Sequence, residues 1–185
     1  MKYTFYIVLI VALLFSMTAC GIKEPNYEVA EFPASIGELS DRMQEYFDAV
    51  HGKGAYNLKV DKYPFEEDLS IWIEPEEEAL HAFIRPMITS EIDILPCARL
   101  SVMHGIEDII RLERYAPAML WACGVGDNTS DRLELIDRIL NIFEDDSGDT
   151  LDETVDGIRI IFHQYEEPDR NSPNNHYELI VEPIR

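Results

Sequence analysis

The residues of this sequence that could take part in chemistry are three cysteines, five histidines and 36 acidic side chains. The sequence contains no CxxC, no HxxxH and no GxSxG, which are the spacings typical of zinc sites and of serine nucleophiles. His163 and His176 are predicted to lie in adjacent strands of the last hairpin, an arrangement more typical of surface pairing than of a catalytic site. The sequence therefore favours a protein that is not an enzyme. A hydrolase whose groups meet only in the folded chain is the alternative.

A cluster of acids near the end of the last predicted helix is the candidate cation site: Asp145, Asp146, Asp149, Asp152 and Glu153. It does not match the calcium loop, because placing Gly148 at the sixth position puts Phe143 at the first and Thr154 at the twelfth, where carboxylates are required. An irregular calcium site with a dissociation constant of ~10⁻⁴–10⁻³ M is one interpretation. A solvated turn is the other, and no further cofactor is expected.

The first residues follow the order of a secretory signal. Lys2 is the one charge ahead of an apolar run from Tyr3 to Leu14, and small residues then lead to Cys20. Met17-Thr18-Ala19-Cys20 resembles the lipobox of bacterial lipoproteins. The resemblance implies removal of residues 1–19, a diacylglycerol with palmitate-type chains on Cys20, and an extracytoplasmic site at the cell membrane or outer membrane. The alternative, an uncleaved spanning helix, would need ~20 apolar residues, and this run is shorter.

The remaining sequence predicts a tether over residues 20–34 and one domain over residues 35–185. The whole chain carries a formal charge of −21, from 15 basic and 36 acidic residues. Nucleic acid is excluded as a partner, since affinity for it comes from Lys and Arg that neutralise phosphates. The acidity also opposes contact with anionic lipid beyond the lipid anchor itself. It permits attraction to an envelope protein with a basic surface, and a role in solubility alone is the alternative.

Cys97 and Cys123 would then lie in an oxidising compartment. A disulfide between them would be worth ~3 kcal/mol in the chain-entropy model. Both cysteines are in apolar stretches, residues 92–100 and 119–125, so that two buried free thiols are an equally good interpretation.

The domain is predicted to be α+β, with helices packed on an antiparallel sheet. Ser35-Ile36-Gly37-Glu38 is typical of a capping box, and an apolar stripe follows it at helical spacing. Residues 35–75 and 131–183 both predict a helix followed by two strands, which indicates two αββ units with the middle segment inserted between them. Residues 76–87 favour a helix, with a third strand through 81–88 as the alternative.

Trp72 alternates with Leu69, Ile71 and Ile73, which are predicted to face the core. If its own side chain is exposed, it marks a contact surface; burial under the middle segment is the alternative. Together these features predict a lipid-anchored binding or assembly component of the cell envelope. An envelope hydrolase and a weakly cation-responsive module are the competing hypotheses.

Overall fold

The computed structural model describes residues 31–62, 69–74, 83–84, 95, 97–103, 106–126, 129–145, 148–165 and 176–184. These residues form the helices α1 (Ile36–His51), α2 (Ile106–Ala122) and α3 (Thr129–Asp145). Their strands are β1 (Asn57–Lys62), β2 (Leu69–Glu74), β3 (Phe83–Ile84), β4 (Ala98–Met103), β5 (Leu151–Val155), β6 (Ile158–Tyr165) and β7 (His176–Pro183). All pair antiparallel in one sheet, in the order β1-β2-β3-β4-β7-β6-β5. The predicted α+β class is confirmed.

Helix α1 begins as its sequence predicts. The Ser35 hydroxyl accepts a hydrogen bond from the backbone N–H of Glu38 at 3.2 Å. The Glu38 carboxylate accepts from the N–H of Ala34 at 2.8 Å, one residue further back than a capping box requires. This bond is the main reason that the pKa of Glu38 lies below its usual value. The predicted stripe is buried at Ile36, Leu39, Met43, Tyr46 and Phe47, and Val50 is half-buried.

The sequence Asp131-Arg132-Leu133-Glu134 predicts a helix start at Asp131, but helix α3 begins two residues earlier, at Thr129. Its buried face consists of Arg132, Leu135, Ile136, Ile139 and Phe143. The helical spacing of Leu133, Ile136, Ile139, Leu140 and Phe143 predicts one apolar face that includes Leu133, but Leu133 is 39% exposed. The prediction was wrong because successive helical residues are rotated by about 100°, and Leu133 lies one step away from the i, i+3, i+4, i+7 series that Arg132 begins.

The stretch Glu144–Glu153 is predicted to be an acidic turn, and the structure corrects this. Residues Leu151–Val155 form the edge strand β5, with Leu151 buried opposite Phe162 of β6. Asp156 and Gly157, with φ of 51° and 79°, make the two-residue hairpin that follows. The second predicted unit is therefore a helix with three strands. It resembles residues 36–74 only in that a helix is followed by antiparallel strands.

The middle third also departs from the favoured prediction. Phe83–Ile84 is a strand between β2 and β4 and not part of a helix, as the alternative allowed. Residues 75–82 lie outside the described part of the chain. The sequence of residues 106–115 fits a short helix or a strand, and residues 118–123 are predicted to be a separate buried element. In the structure Ile106–Ala122 is the single helix α2, which continues through Pro117. A proline in a helix removes one backbone hydrogen bond. Residues 115–122 are all buried, and their packing stabilises the helix despite this loss.

One hydrophobic layer lies between the three helices and one face of the sheet. It takes alternate residues of the strands, so that in β7 Tyr177, Leu179 and Val181 are buried while their neighbours are half-buried. The Tyr177 ring lies 5.0 Å from that of Phe143 in α3 and 5.4 Å from that of Phe162 in β6. In the described part of the chain all helices pack on this same face.

The last residues of the predicted tether, 31–34, pack on the domain. Pro33 is buried, and Phe32 contacts the core. The Arg42 guanidinium donates to the Glu31 carbonyl at 2.6 Å and to the Ala122 carbonyl at 3.0 Å, and it also pairs with Glu38. Arg42 therefore fixes the point at which the chain enters the domain against the end of α2.

We predict that Leu135→Ala lowers the free energy of unfolding by about 2–5 kcal/mol, since it leaves a cavity in the buried face of α3. Leu133→Ala, on the same helix and with the same change of side chain, is expected to cost less than about 1 kcal/mol, because Leu133 is partly exposed. Urea denaturation of both variants measures the difference. Equal losses would contradict the assignment of the buried face.

Candidate functional site

The face of the sheet opposite the helices carries polar side chains from four neighbouring strands, β4, β7, β6 and β5. We call this set of side chains the polar face. Strand pairing arranges it in three rows across the strands. The rows are Ser101–Glu178–His163, Arg99–Ile180–Ile161–Asp152 and Glu182–Arg159–Thr154. A pair of half-buried isoleucines thus lies between charged and imidazole side chains.

Glu178 is the centre of the first row. Its Oε2 lies 3.7 Å from His163 Nε2, and its Oε1 lies 3.5 Å from His176 Nε2 and 3.5 Å from Ser101 Oγ. The carboxylate is only 14% exposed, so it sits among these groups rather than in bulk water. Each imidazole forms an ion pair with it when protonated. The row can therefore offer hydrogen bonds to a bound group.

The geometry of this row does not make a nucleophile of Ser101. Ser101 and His163 are partners of Glu178 on opposite sides, so two strand spacings, or about 9.5 Å, separate their backbones. A serine nucleophile needs its base within hydrogen-bond reach, about 2.6–3.2 Å. Ser101 and His163 thus each contact the Glu178 carboxylate, from opposite sides, and are not placed to contact each other.

Arg159 organises the third row. Its Nε and Nη2 donate to the two Asp152 oxygens at 2.9 and 2.7 Å, and its Nη1 donates to Glu182 Oε1 at 3.2 Å. The hydrogen bond from Arg159 is the largest cause of the lowered pKa of Asp152. Bidentate pairs of this kind fix the orientation of the guanidinium. Because the groups are largely exposed, the pairs add little to stability.

Two nitrogen atoms of the polar face are buried and, within the described residues, have no hydrogen-bond partner. They are Arg99 Nε and His163 Nε2. Buried polar atoms are nearly always paired with protein or water. Among the described residues, these two atoms therefore leave hydrogen-bonding capacity unused next to the isoleucine pair.

A cleft of about 160 Å³ lies elsewhere, between the start of α3 and β5. Val125, Gly126, Arg132, Leu135, Arg138 and Glu153 line it, with Asp131, Glu134 and Val155. The side chain of Arg138 pairs with Glu153 across the opening. Arg138 and Glu153 thus neutralise each other at this cleft, and we assign no ligand to it.

Arg132 closes the bottom of this cleft and is 91% buried. Its Nη1 donates to the carbonyls of Val125 and Gly126 at 3.0 and 2.6 Å. Gly126 has a φ of 75°, and a Cβ there would lie 3.3 Å from Arg132 Cγ. The guanidinium and the glycine together hold the turn between α2 and α3.

The acids of the predicted cation site are spread out. Asp152 belongs to the polar face and pairs with Arg159, whereas Glu153 points to the helical side and pairs with Arg138. Asp145 and Asp149 are exposed, and Asp146 lies outside the described residues. No group of three or more His, Cys, Asp or Glu in the described ranges is arranged to hold a metal ion. The calcium site stays a prediction.

The other predicted site residues lie apart from the polar face or outside the described chain. Cys97 and Cys123 are buried free thiols. Trp72 is in β2 opposite Lys59, and its role in a contact stays a prediction. Cys20 belongs to residues 1–30, which the structure does not describe.

Sequence reasoning placed His163 and His176 in adjacent strands, and this is confirmed. It did not identify Glu178 as their shared neighbour, nor Arg99, Ser101 or Arg159. A signal for part of the cluster was present: His176 and Glu178 are two residues apart and must share a face of their strand. The contribution of β4 could not be read from the sequence, because β4 and β7 are far apart along the chain.

Comparison of the chain with protein-family models, with curated proteins and with solved structures found no match. Among the helices of the described ranges, none combines the length and the hydrophobicity that crossing a bilayer requires.

We predict that Arg132→Met lowers the free energy of unfolding by about 1.5–3 kcal/mol, because two carbonyls lose a charged donor inside the protein. Arg138→Met, six residues further along α3, removes a partly exposed ion pair and is expected to cost about 1 kcal/mol or less. Chemical denaturation compares the two variants. A larger loss for Arg138→Met would refute the structural role given to Arg132.

Proposed function

We propose that this protein is an extracytoplasmic lipoprotein, anchored to a membrane through Cys20, that acts as a binding or assembly component of the cell envelope. The observation that carries the proposal is the sequence Met17-Thr18-Ala19-Cys20 at the end of an apolar run. Ten residues, 21–30, separate Cys20 from Glu31, the first residue that the structure describes. Fully extended, these residues span at most about 35 Å, which keeps the domain close to the bilayer.

The polar face is the surface that we propose for partner binding. It combines an apolar pair, Ile161 and Ile180, with charged and imidazole side chains around it. Protein interfaces commonly have such an apolar centre with a polar rim. The net charge of −21 favours a partner with a basic surface, since opposite charges accelerate encounter and oppose the wrong partners.

The anchor is tested by Cys20→Ser. We expect this variant to lose incorporation of a labelled fatty acid and to accumulate as a longer precursor that retains residues 1–19, because a serine hydroxyl cannot take the thioether-linked diacylglycerol. Cells fed an alkyne-tagged palmitate analogue report the first effect, and the mass of the protein reports the second.

The matched control is Cys97→Ser, which removes a different cysteine and should leave labelling and cleavage unchanged. If Cys20→Ser is processed to the wild-type size and still labelled, the lipid-anchor proposal is wrong.

The binding surface is tested with a photo-crosslinking amino acid at Thr154, which is exposed on the polar face. We expect one crosslinked envelope protein, in a yield that falls as the salt concentration rises, because salt shortens the range of charge attraction from ~10 Å at 0.1 M to ~3 Å at 1 M. The same amino acid at Asp137, exposed on α3, is the control and should give no such product.

Equal products from both positions would show that the polar face is not the contact. A product from Thr154 with an acidic protein, insensitive to salt, would contradict the proposed charge complementarity.

A further inference from the structure

Strand β5 is the last strand of the sheet, and in the described part of the chain no other strand pairs with its outer edge. It pairs with β6 residue for residue, without a bulge, up to Val155 opposite Ile158. In a two-residue hairpin this last pair exchanges both backbone hydrogen bonds, and bonded pairs then alternate along the strand. The backbone N–H and C=O groups of Asp152 and Thr154 therefore point away from β6, at the outer edge.

The two edges of the sheet differ in their protection against further pairing. Natural edge strands are commonly guarded by lysine, proline or a bulge. The edge strand β1 carries the exposed Lys59, whereas β5 has no lysine, no proline and no bulge. Glu153 points to the helical side but is paired with Arg138, so a strand beside it would not leave this charge unpaired. The backbone of β5 is thus open to a further strand.

There is room for side chains on both sides of such a strand, which lies ~4.8 Å from its neighbour and alternates its side chains between the two faces. On the polar face, Asp152 and Thr154 are exposed at the ends of their rows. On the helical side, Glu153 and Val155 line the cleft of about 160 Å³ between β5 and the start of α3. The cleft, to which we assign no ligand of its own, therefore leaves space next to the edge.

The charge of this edge favours a basic strand. Residues 151–157 contain three acids and no basic residue. Arg159 is shared between Asp152 and Glu182, so these three side chains together keep one negative charge. Asp156, in the turn, is exposed. Basic side chains opposite these carboxylates would be attracted to them, as opposite charges are between neighbouring strands.

A second copy of β5 is a poor occupant of the same edge. The antiparallel registers centred on residues 152, 153 and 154 set 152 opposite 152, 153 opposite 153, or 152 opposite 156. Each of these pairs joins two acids, and like charges directly opposite each other destabilise a sheet. The edge therefore favours a segment of another protein.

We propose that β5 is a docking edge for an extended, basic segment of a partner protein, which pairs antiparallel with the backbone of Asp152 and Thr154 and adds an eighth strand to the sheet. Main-chain hydrogen bonds supply affinity in this mode of binding, and alternate side chains supply specificity. Basic side chains of the segment lie on the polar face, and apolar ones lie over Val155. The inference rests, for its role in cells, on the partner binding proposed above, and it names the form of that partner.

The probe is the labelled peptide Lys-Val-Lys-Val-Lys-Val-Lys, whose lysines and valines fall on opposite faces of a strand. Fluorescence anisotropy measures its binding to the full-length chain carrying Cys20→Ser, in a non-ionic detergent. Lysines opposite Asp152 and Thr154 share their face, so their backbone groups make the bonds to β5. We expect N-methylation of the third and fifth backbone nitrogens to weaken binding by about tenfold or more. N-methylation of the second and fourth is the matched control and should leave the affinity within about twofold.

The corresponding change in the protein is Thr154→Pro, which removes an outward N–H at a position where an edge strand tolerates proline. We expect it to weaken binding of the unmodified peptide by about tenfold or more, whereas Thr154→Ala keeps the N–H and should bind within about twofold of the parent. In the parent protein, bound peptide should slow hydrogen exchange at the Asp152 and Thr154 amides. The Glu153 and Val155 amides already bond to β6 and should be unaffected.

No saturable binding at millimolar peptide would overturn the inference. Equal binding of both N-methylated peptides, or of Glu-Val-Glu-Val-Glu-Val-Glu, would overturn it as well. The peptide comparison decides alone if Thr154→Pro does not fold. Because these measurements use neither the anchor nor cells, their failure leaves the Cys20 proposal standing. If the peptide binds as expected while the crosslinker at Thr154 captures no envelope protein, the proposed partner binding is wrong and the docking edge stands.

Discussion

The rest of the described structure depends on one hydrophobic layer, which is buried between the three described helices and one face of the seven-stranded sheet. Leu39 and Phe47 of α1, Met119 of α2 and Phe143 of α3 all reach the same cluster. In the described ranges no helix packs on the other face, so the alternate residues of β4–β7 are left to make polar contacts. Within the described residues, the helices cover one side of the sheet, and the polar face lies on the other.

Arg42 joins this layer to the start of the chain. Its guanidinium contacts the carbonyls of Glu31 and Ala122 and the carboxylate of Glu38. A planar group with five donors is suited to such a site, because one side chain can hold three elements in a fixed relation. Arg42 thus ties Glu31, near the end of the predicted tether, to the end of α2.

The sequence predicted best those features that depend on neighbouring residues. The Ser35 cap, the stripe of α1 and the α+β class follow from spacing within one segment, and all are confirmed. The exposed Leu133 and the strand Leu151–Val155 were predicted wrongly, because short apolar patterns do not fix a helix face or separate a strand from a turn. Glu178 and its partners were missed as a cluster since β4, β6 and β7 come together only through strand pairing between distant segments.

Successive side chains of a strand point to opposite faces of the sheet. The residues needed for folding therefore lie on one face, and the residues proposed for binding lie on the other. In β7, Tyr177, Leu179 and Val181 fill the core, whereas Glu178, Ile180 and Glu182 between them belong to the polar face. A substitution at the second set changes charge or contact area without leaving a cavity in the first. The pairing register therefore lets the proposed binding surface vary while the hydrophobic layer remains intact. For that reason the chemistry of a partner should be sought in the side chains of these three rows rather than in the cleft, where Arg132 supports the backbone.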